Sequence, residues 1–228
     1  MPVFYQHIID GDSRLGIWKI EETEQFFLSN VPVNTEVSHP HKRLQHLAGR
    51  FLLRFLFPGF PYELIRIADT RKPFLANEEY HFSISHCGDY AAAIVSKSKR
   101  VGIDIEIPSP KIERIKNKFL NENELNEWKG INGSWQNPLT RESISDDLQK
   151  KEFYTQPIAL QNLTMLWSAK EAVFKWYGDG GVDFSEHILL GKSDRANGTV
   201  ECYFSKNKTG LLIHYQFFEH LVLAWVAT

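Results

Sequence analysis

The sequence predicts an α+β fold, and three observations carry that prediction. Two segments, Pro40 to Phe57 and Leu163 to Tyr177, repeat apolar residues at the period of a helix. Shorter runs around them alternate at the period of two that belongs to strands, most clearly Val101-Gly102-Ile103-Asp104-Ile105-Glu106-Ile107. In order the chain offers strands, helix, strands, strand, helix, helix, strands, a grouping unlike the strict alternation of a parallel α/β sheet. At 228 residues the chain amounts to about one and a half ordinary domains, so one large domain or two small halves both fit.

Residues 3–28 mix short apolar groups (Val3-Phe4-Tyr5, Leu15-Gly16-Ile17-Trp18) with the turn residues Asp10-Gly11-Asp12, and read as strands and a turn. From Pro40 the period changes. Leu44, Leu47, Ala48, Phe51 and Phe55 make one apolar stripe; Arg43, His46, Arg50 and Arg54 make a basic stripe on the other side; Pro58-Gly59 ends the helix. After an irregular stretch, His81 to Ser85 and Tyr90 to Ser96 read as two short strands around the turn His86-Cys87-Gly88-Asp89. A helix is expected from Ile112 to Trp128. Residues 130–161 are polar and turn-rich and are expected to form a long loop or partly ordered insertion, of a length that is usually functional or mobile. On the helix from Leu163 the face expected to be buried is Leu166, Ala169, Val173, Trp176 and Tyr177, and Gly178 to Gly181 stops it. Val200 to Phe204, Leu211 to Phe218 and Leu221 to Ala227 read as closing strands.

Composition narrows the function classes. Hydrophobic residues make up 43% and charged residues 24%, which excludes a disordered or collagen-like chain. Lys and Arg number 26 against 28 Asp and Glu, a net charge of -2 that argues against a dedicated nucleic-acid binder. Two distant cysteines, Cys87 and Cys202, are no disulfide framework and point to a reducing, cytoplasmic setting. Met1 to Asp10 lacks the pattern of a signal peptide, and no apolar run reaches the ~20 residues of a membrane span.

Three segments hold residues suited to chemistry. In the Val101 to Ile107 strand, Gly102, Asp104 and Glu106 share the face opposite the apolar row. Carboxylates two residues apart stand ~7 Å apart at the backbone and can converge on one hard cation; the same pattern also makes the outer face of a half-exposed strand. In Leu166 to Lys175, Glu171 and Lys175 are four apart on the face opposite the apolar one, as in a surface ion pair or as a carboxylate beside a phosphate-binding ammonium. In Phe82-Ser83-Ile84-Ser85-His86, two hydroxyls share a face before a histidine, which suits a phosphate or ribose and equally a surface turn. Cys87 lacks a catalytic signature and reads as a small packed thiol, and no phosphate-loop or dinucleotide fingerprint occurs.

In chain order these pieces are an Arg-rich helix, Lys72-Pro73, Phe82-Ser83-Ile84-Ser85-His86, Gly102-Ile103-Asp104-Ile105-Glu106, Phe119-Leu120-Asn121-Glu122-Asn123-Glu124, and Trp167-Ser168-Ala169-Lys170-Glu171-Ala172-Val173-Phe174-Lys175. Together they resemble the 4'-phosphopantetheinyl transferase superfamily, in its long surfactin-synthetase-activating type. The strongest matches are the G-I-D-x-E strand and the W-[ST]-x-K-E-[AS]-x-x-K helix, and the resemblance spans roughly residues 40–180. It implies two pseudo-symmetric halves, 1–98 and 99–228, each a helix packed on a small antiparallel sheet, with a cofactor cleft between them. It implies transfer of the phosphopantetheine arm of coenzyme A to a serine of an apo acyl or peptidyl carrier protein, with Mg²⁺ (or Mn²⁺) as cation and 3',5'-ADP released. Carried over by position, Asp104, Glu106 and Glu171 match the metal ligands, and Asp104 also falls within the coenzyme A site. Lys175 matches the lysine at the coenzyme A phosphates. Ser85 and His86 match the contacts near the 3'-phosphate, Ser83 stands at the start of the same short run, and Lys72 matches a lysine beside the nucleotide. Arg50 fits one version of the basic-helix pattern, and Arg43 is the alternative. Glu124 matches an acidic residue cast as a further ligand or as the base. The proton acceptor is thus Glu171, Glu124 or a metal-bound water.

Two other readings compete. A Mg²⁺-dependent nuclease is disfavoured by the near-neutral charge and by the helical spacing of Glu171 and Lys175. A non-catalytic coenzyme A or carrier-binding module would not need the full set of acidic residues. A chain holding both sides of the cleft is expected to act as a monomer, with no nucleic acid or membrane among its partners. The basic stripe and residues 130–161 are the expected docking surfaces for an acidic carrier.

Overall fold

The computed structural model describes residues 3–32, 37–127 and 158–228. In chain order the elements are β1 (Val3–Ile8), β2 (Ser13–Lys19), α1 (Glu24–Leu28), α2 (Pro40–Leu56), β3 (Ile65–Ile67), β4 (Pro73–Leu75), β5 (His81–Cys87), β6 (Tyr90–Ser96), β7 (Val101–Glu106), α3 (Lys111–Phe119), α4 (122–127), α5 (Ile158–Tyr177), α6 (Phe184–His187), β8 (Ile188–Asp194), β9 (Thr199–Phe204), β10 (Thr209–Phe217) and β11 (Val222–Ala227). The strands form a four-stranded sheet in the order β1-β2-β6-β5, a five-stranded sheet in the order β7-β11-β10-β9-β8, and the small pair β3-β4. Every pairing is antiparallel, so the chain has the α+β class that its pattern predicts.

Alternation along the strands divides the core into layers. Trp18, Ala91, Ala93 and Val95 face α2 with Leu52, Leu53 and Leu56. Leu15, Ile17, Ala92 and Ile94 face the other way, onto Ile103, Ile105, Leu223 and Trp225 of the second sheet. Val222, Ala224 and Val226 then face α5 with Ala169, Val173 and Trp176. The order is therefore α2, first sheet, second sheet, α5. Strand β6, buried at all seven positions, has the continuous apolar run Ala91 to Val95 because it is covered on both faces.

Several elements differ from their expectation for identifiable reasons. Glu24–Leu28 is helical, one short turn carried by Phe27 in the first core. On α2 the deepest face is Ala48, Gly49, Leu52, Leu53 and Leu56, rotated from the expected stripe; Leu44, Phe51 and Phe55 lie at its margin. Phe51 and Phe55 are held there by Trp18, with ring centroids 5.0 and 5.6 Å apart. The irregular stretch holds the β3-β4 pair. His86 lies inside β5, because Gly88 at φ 53° and Asp89 alone make the turn. The helix expected from Ile112 to Trp128 breaks at Leu120. Asn121 starts a new turn as a capping box, its Oδ1 accepting Glu124 N (3.0 Å) while Glu124 Oε2 accepts Asn121 N (2.9 Å). Helix α5 starts by Ile158, so residues 158–161 are helix; the rest of the expected insertion, and its carrier-docking role, lies outside the described residues. Helix α6 and strand β8 precede the strands expected at the end of the chain. Among the described residues no helix is long and apolar enough to cross a membrane.

Candidate active site

Strand β7 crosses α5 at Gly102. A Cβ there would run into the Ala172 carbonyl and lie 2.6 Å from Trp176 N, so only glycine lets strand and helix backbones meet. That contact brings the even face of β7 against the part of α5 that carries Glu171 and Lys175. Their face is turned away from the apolar core of the second sheet yet is closed over by β5 and β7, so it is not the solvent face of a surface ion pair.

Asp104 is 3% exposed and sits at the centre. Its Oδ1 accepts hydrogen bonds from Lys175 Nζ (2.7 Å) and Ser85 Oγ (2.8 Å). Its Oδ2 is buried with no hydrogen-bond partner. Lys175 Nζ also donates to Ser85 Oγ (2.9 Å), and Ile105 N donates to the same oxygen (3.3 Å). Glu106 points to a different set of donors: Trp167 Nε1 reaches Oε1 and Cys87 Sγ reaches Oε2, both at 3.3 Å.

The electrostatics of this group are unbalanced. Burial first, then Asp104, pushes the Glu171 carboxyl up to about 7, with Lys175 opposing and Glu106 adding to the rise. Burial and then Asp104 raise Glu106 as well. Burial, then Glu106, pushes the Cys87 thiol up to about 12, so it holds its proton. Three carboxylates thus share one ammonium in a desolvated place. Among the described residues no three His, Cys, Asp or Glu side chains already close on one point. The donor set still fits a hard divalent cation: it is all oxygen, it carries excess negative charge, and it includes the orphaned Asp104 Oδ2.

A second group has the opposite sign. The rings of His46 and His86 lie 5.4 Å apart, and desolvation followed by neighbouring cations holds both below the usual imidazole value: Arg50 and Lys42 act on His46, and His46 itself acts on His86. Arg50 pairs with no carboxylate among the described residues, and burial lowers it. Arg43 is spent elsewhere, donating from Nε (2.6 Å) and Nη2 (2.8 Å) to Glu24. Arg54 lies over the Tyr62 ring, so two of the four stripe residues, Arg43 and Arg54, are engaged within the chain. Burial, then Arg100, pushes Lys72 down to about 8; its Nζ lies 3.4 Å from the Trp176 carbonyl. Lys72, Ser83, Phe174 and Lys175 line one cavity of about 230 Å³.

The structure therefore brings together Asp104, Glu106, Glu171, Lys175 and Ser85, with His86 near them and Lys72 and Ser83 along the adjoining cavity. Glu124 is not brought to this group. Its carboxylate accepts from Lys170 Nζ (2.7 Å), Asn121 N (2.9 Å) and Leu190 N (2.8 Å), and Lys170 Nζ donates again to the Phe184 carbonyl (2.9 Å). With side chains 5% and 0% exposed, the pair ties α4, α5, α6 and β8 together. The sequence pattern does not single out Trp167 and Cys87, the two side chains that reach Glu106. Cys87 was findable, because it continues the face of Ser83 and Ser85 two residues on.

Residues 100–226, from β7 to the end of β11, match the family model of the 4'-phosphopantetheinyl transferase superfamily. Enterobactin synthase component D of Salmonella austin is 30% identical over 138 residues, which cover 60% of this chain and 49% of that protein. L-aminoadipate-semialdehyde dehydrogenase-phosphopantetheinyl transferase of Xenopus laevis is 34% identical over 107 residues, 39% of this chain and 35% of that protein. Enterobactin synthase component D of Escherichia coli (strain K12) is 39% identical over 66 residues, 28% of this chain and 31% of that protein. The chain thus spans about half the length of the Salmonella relative and about a third of the other two.

Proposed function

Because this chain belongs to the 4'-phosphopantetheinyl transferase superfamily, we propose that it moves the phosphopantetheine arm of coenzyme A to a serine hydroxyl of an apo acyl or peptidyl carrier protein, releasing 3',5'-ADP. The observation that carries this reading is the meeting of Asp104, Lys175 and Ser85 with Glu106 and Glu171 where β7 crosses α5.

In this reading Asp104, Glu106 and Glu171 hold Mg²⁺, with Mn²⁺ as a substitute. When bound, the cation supplies charge neutralisation at the pyrophosphate oxygens of coenzyme A. Lys175 gives two of its three N–H bonds to Asp104 and Ser85 and keeps the third for a phosphate oxygen. The serine oxygen of the carrier attacks the outer phosphorus, the bond to 3',5'-ADP breaks, and the serine proton passes to an acceptor. Of the two carboxylates considered for that role, Glu124 already accepts three hydrogen bonds, which leaves Glu171. His86 and Arg50 hold the 3'-phosphate, supported by the absence of any carboxylate paired with Arg50 among the described residues; Arg43, bound to Glu24, is set aside. Lys72 and Ser83 border the nucleotide in the cavity they share with Lys175.

The boundary of the two pseudo-symmetric halves falls at 98/99 in this reading. It is supported by the two sheets, whose strands come from residues before and after that point, and by one long helix on each. A monomeric, cytoplasmic enzyme that binds neither nucleic acid nor membrane completes the proposal. Its test is transfer of a labelled pantetheine arm by parent, Asp104→Asn and Glu171→Gln chains. Loss of transfer in both variants with unchanged circular dichroism supports the assignment, and near-normal turnover in either refutes it.

A further inference from the structure

Strands β5 and β7 run side by side at the junction of the two sheets, yet no backbone ladder joins them. Amides of β7 and of Ile107, the residue that follows it, are instead accepted by side chains at alternate β5 positions. Ile103 N donates to Ser83 Oγ (3.2 Å), Ile105 N to Ser85 Oγ (3.3 Å) and Ile107 N to Cys87 Sγ (3.3 Å). Each accepting group has a proton of its own to give. Ser85 gives it to Asp104 (2.8 Å) and Cys87 to Glu106 (3.3 Å); opposite Ser83 stands Gly102, which has no side chain to receive one. The rule is the same at both filled rungs: the β5 side chain accepts an amide of β7 and donates to the carboxylate one residue before it.

We infer that Cys87 is a positioning residue for Glu106, the thiol counterpart of the Ser85–Asp104 rung. Glu106 is pinned at both oxygens, by Trp167 from α5 and by Cys87 from β5. Removal of the thiol frees Oε2 and lets the carboxylate turn about the single Trp167 bond. Such outer partners of ligating groups are typically worth ~10–100-fold in metal affinity. A hydroxyl at the same position can make both bonds, so serine replaces cysteine here and alanine does not. This inference rests on the proposed role of Glu106 as a cation ligand, and the test separates the two.

Mn²⁺ binding to the coenzyme-A-free chain is measured by electron paramagnetic resonance for the parent, Cys87→Ser, Cys87→Ala and Asp104→Asn. The expected result is parent-like affinity in Cys87→Ser, about 10-fold weaker binding in Cys87→Ala, and loss in Asp104→Asn. Parent-like binding in Cys87→Ala with loss in Asp104→Asn overturns the positioning role and leaves the cation site standing. Equal weakening by serine and alanine also overturns it. Unchanged binding in Asp104→Asn overturns the cation site itself. Should Cys87→Ala fail to fold, the infrared S–H band that is absent from Cys87→Ser decides. That band is expected to move when Glu106→Ala removes the acceptor, and a band that stays in place contradicts the inference.

Discussion

Asp104 is the residue on which the site turns, because its two oxygens live in different worlds. One accepts from both Lys175 and Ser85; the other is buried and unpartnered. A buried, unsatisfied carboxylate oxygen costs free energy unless a ligand meets it, so the site is built for something that is brought to it. Asp104→Asn removes the charge and keeps the shape. We expect transfer to fall at least about 10²-fold, with the melting temperature little changed, in a paired assay of activity and thermal unfolding. Lys72 gives a pH dependence. Its folded value, pushed down to about 8, lies below the ordinary lysine value, so charged Lys72 costs stability below pH 8 and the cost is relieved as pH rises from there toward the unfolded value. An anion bound beside it needs the charge. Above pH 8 coenzyme A binding should therefore take up a proton and weaken, and Lys72→Ala should abolish that uptake; titration calorimetry in buffers of different ionisation enthalpy reads both.

At the scale of elements, the buried Glu124–Lys170 pair and Gly102 do the joining. Lys170→Met leaves a carboxylate 5% exposed without its ammonium, which costs about 3–5 kcal/mol, or roughly 6–20 °C in melting temperature for a chain of this size. With Glu171 as the proposed proton acceptor, the variant should still transfer below its melting point. Gly102→Ala drives a methyl into the α5 backbone and is expected to cost more than the ~1–3 kcal/mol of ordinary overpacking; chemical denaturation measures it. These elements also mark what was legible in sequence. Val101 to Ile107 announced both its faces, and the Asn121–Glu124 capping box was written in the chain although the helix break it causes was not read from it. Helix α1 and strand β8 are too short or too exposed to carry a period. The polar face of α5 looked like a solvent face because pairing with β5 and β7 is a tertiary fact. The side-chain ladder between β5 and β7 escaped for the same reason: its partners lie 20 residues apart and only the fold sets them side by side.

At the scale of the molecule, the two sheets meet at that ladder, and the cavity lined by Lys72, Ser83, Phe174 and Lys175 draws on the β3-β4 turn, on β5 and on α5. Lys72 reaches the Trp176 carbonyl and Thr70 Oγ1 donates to the Gly178 carbonyl (2.9 Å), so the β3-β4 pair leans on the end of α5 across the same cavity. In the proposed function a carboxylate group that holds a cation and a basic group that holds phosphate meet at one junction, which is the division of labour that pyrophosphate chemistry requires. The most direct test is the intact mass of an apo carrier protein incubated with this chain, coenzyme A and Mg²⁺, with and without EDTA. The account predicts a mass gain of one phosphopantetheine arm that disappears with EDTA. No gain on fatty-acid, polyketide and peptide carriers alike, from a folded sample that still binds coenzyme A, would contradict it and leave a non-catalytic coenzyme A binding module.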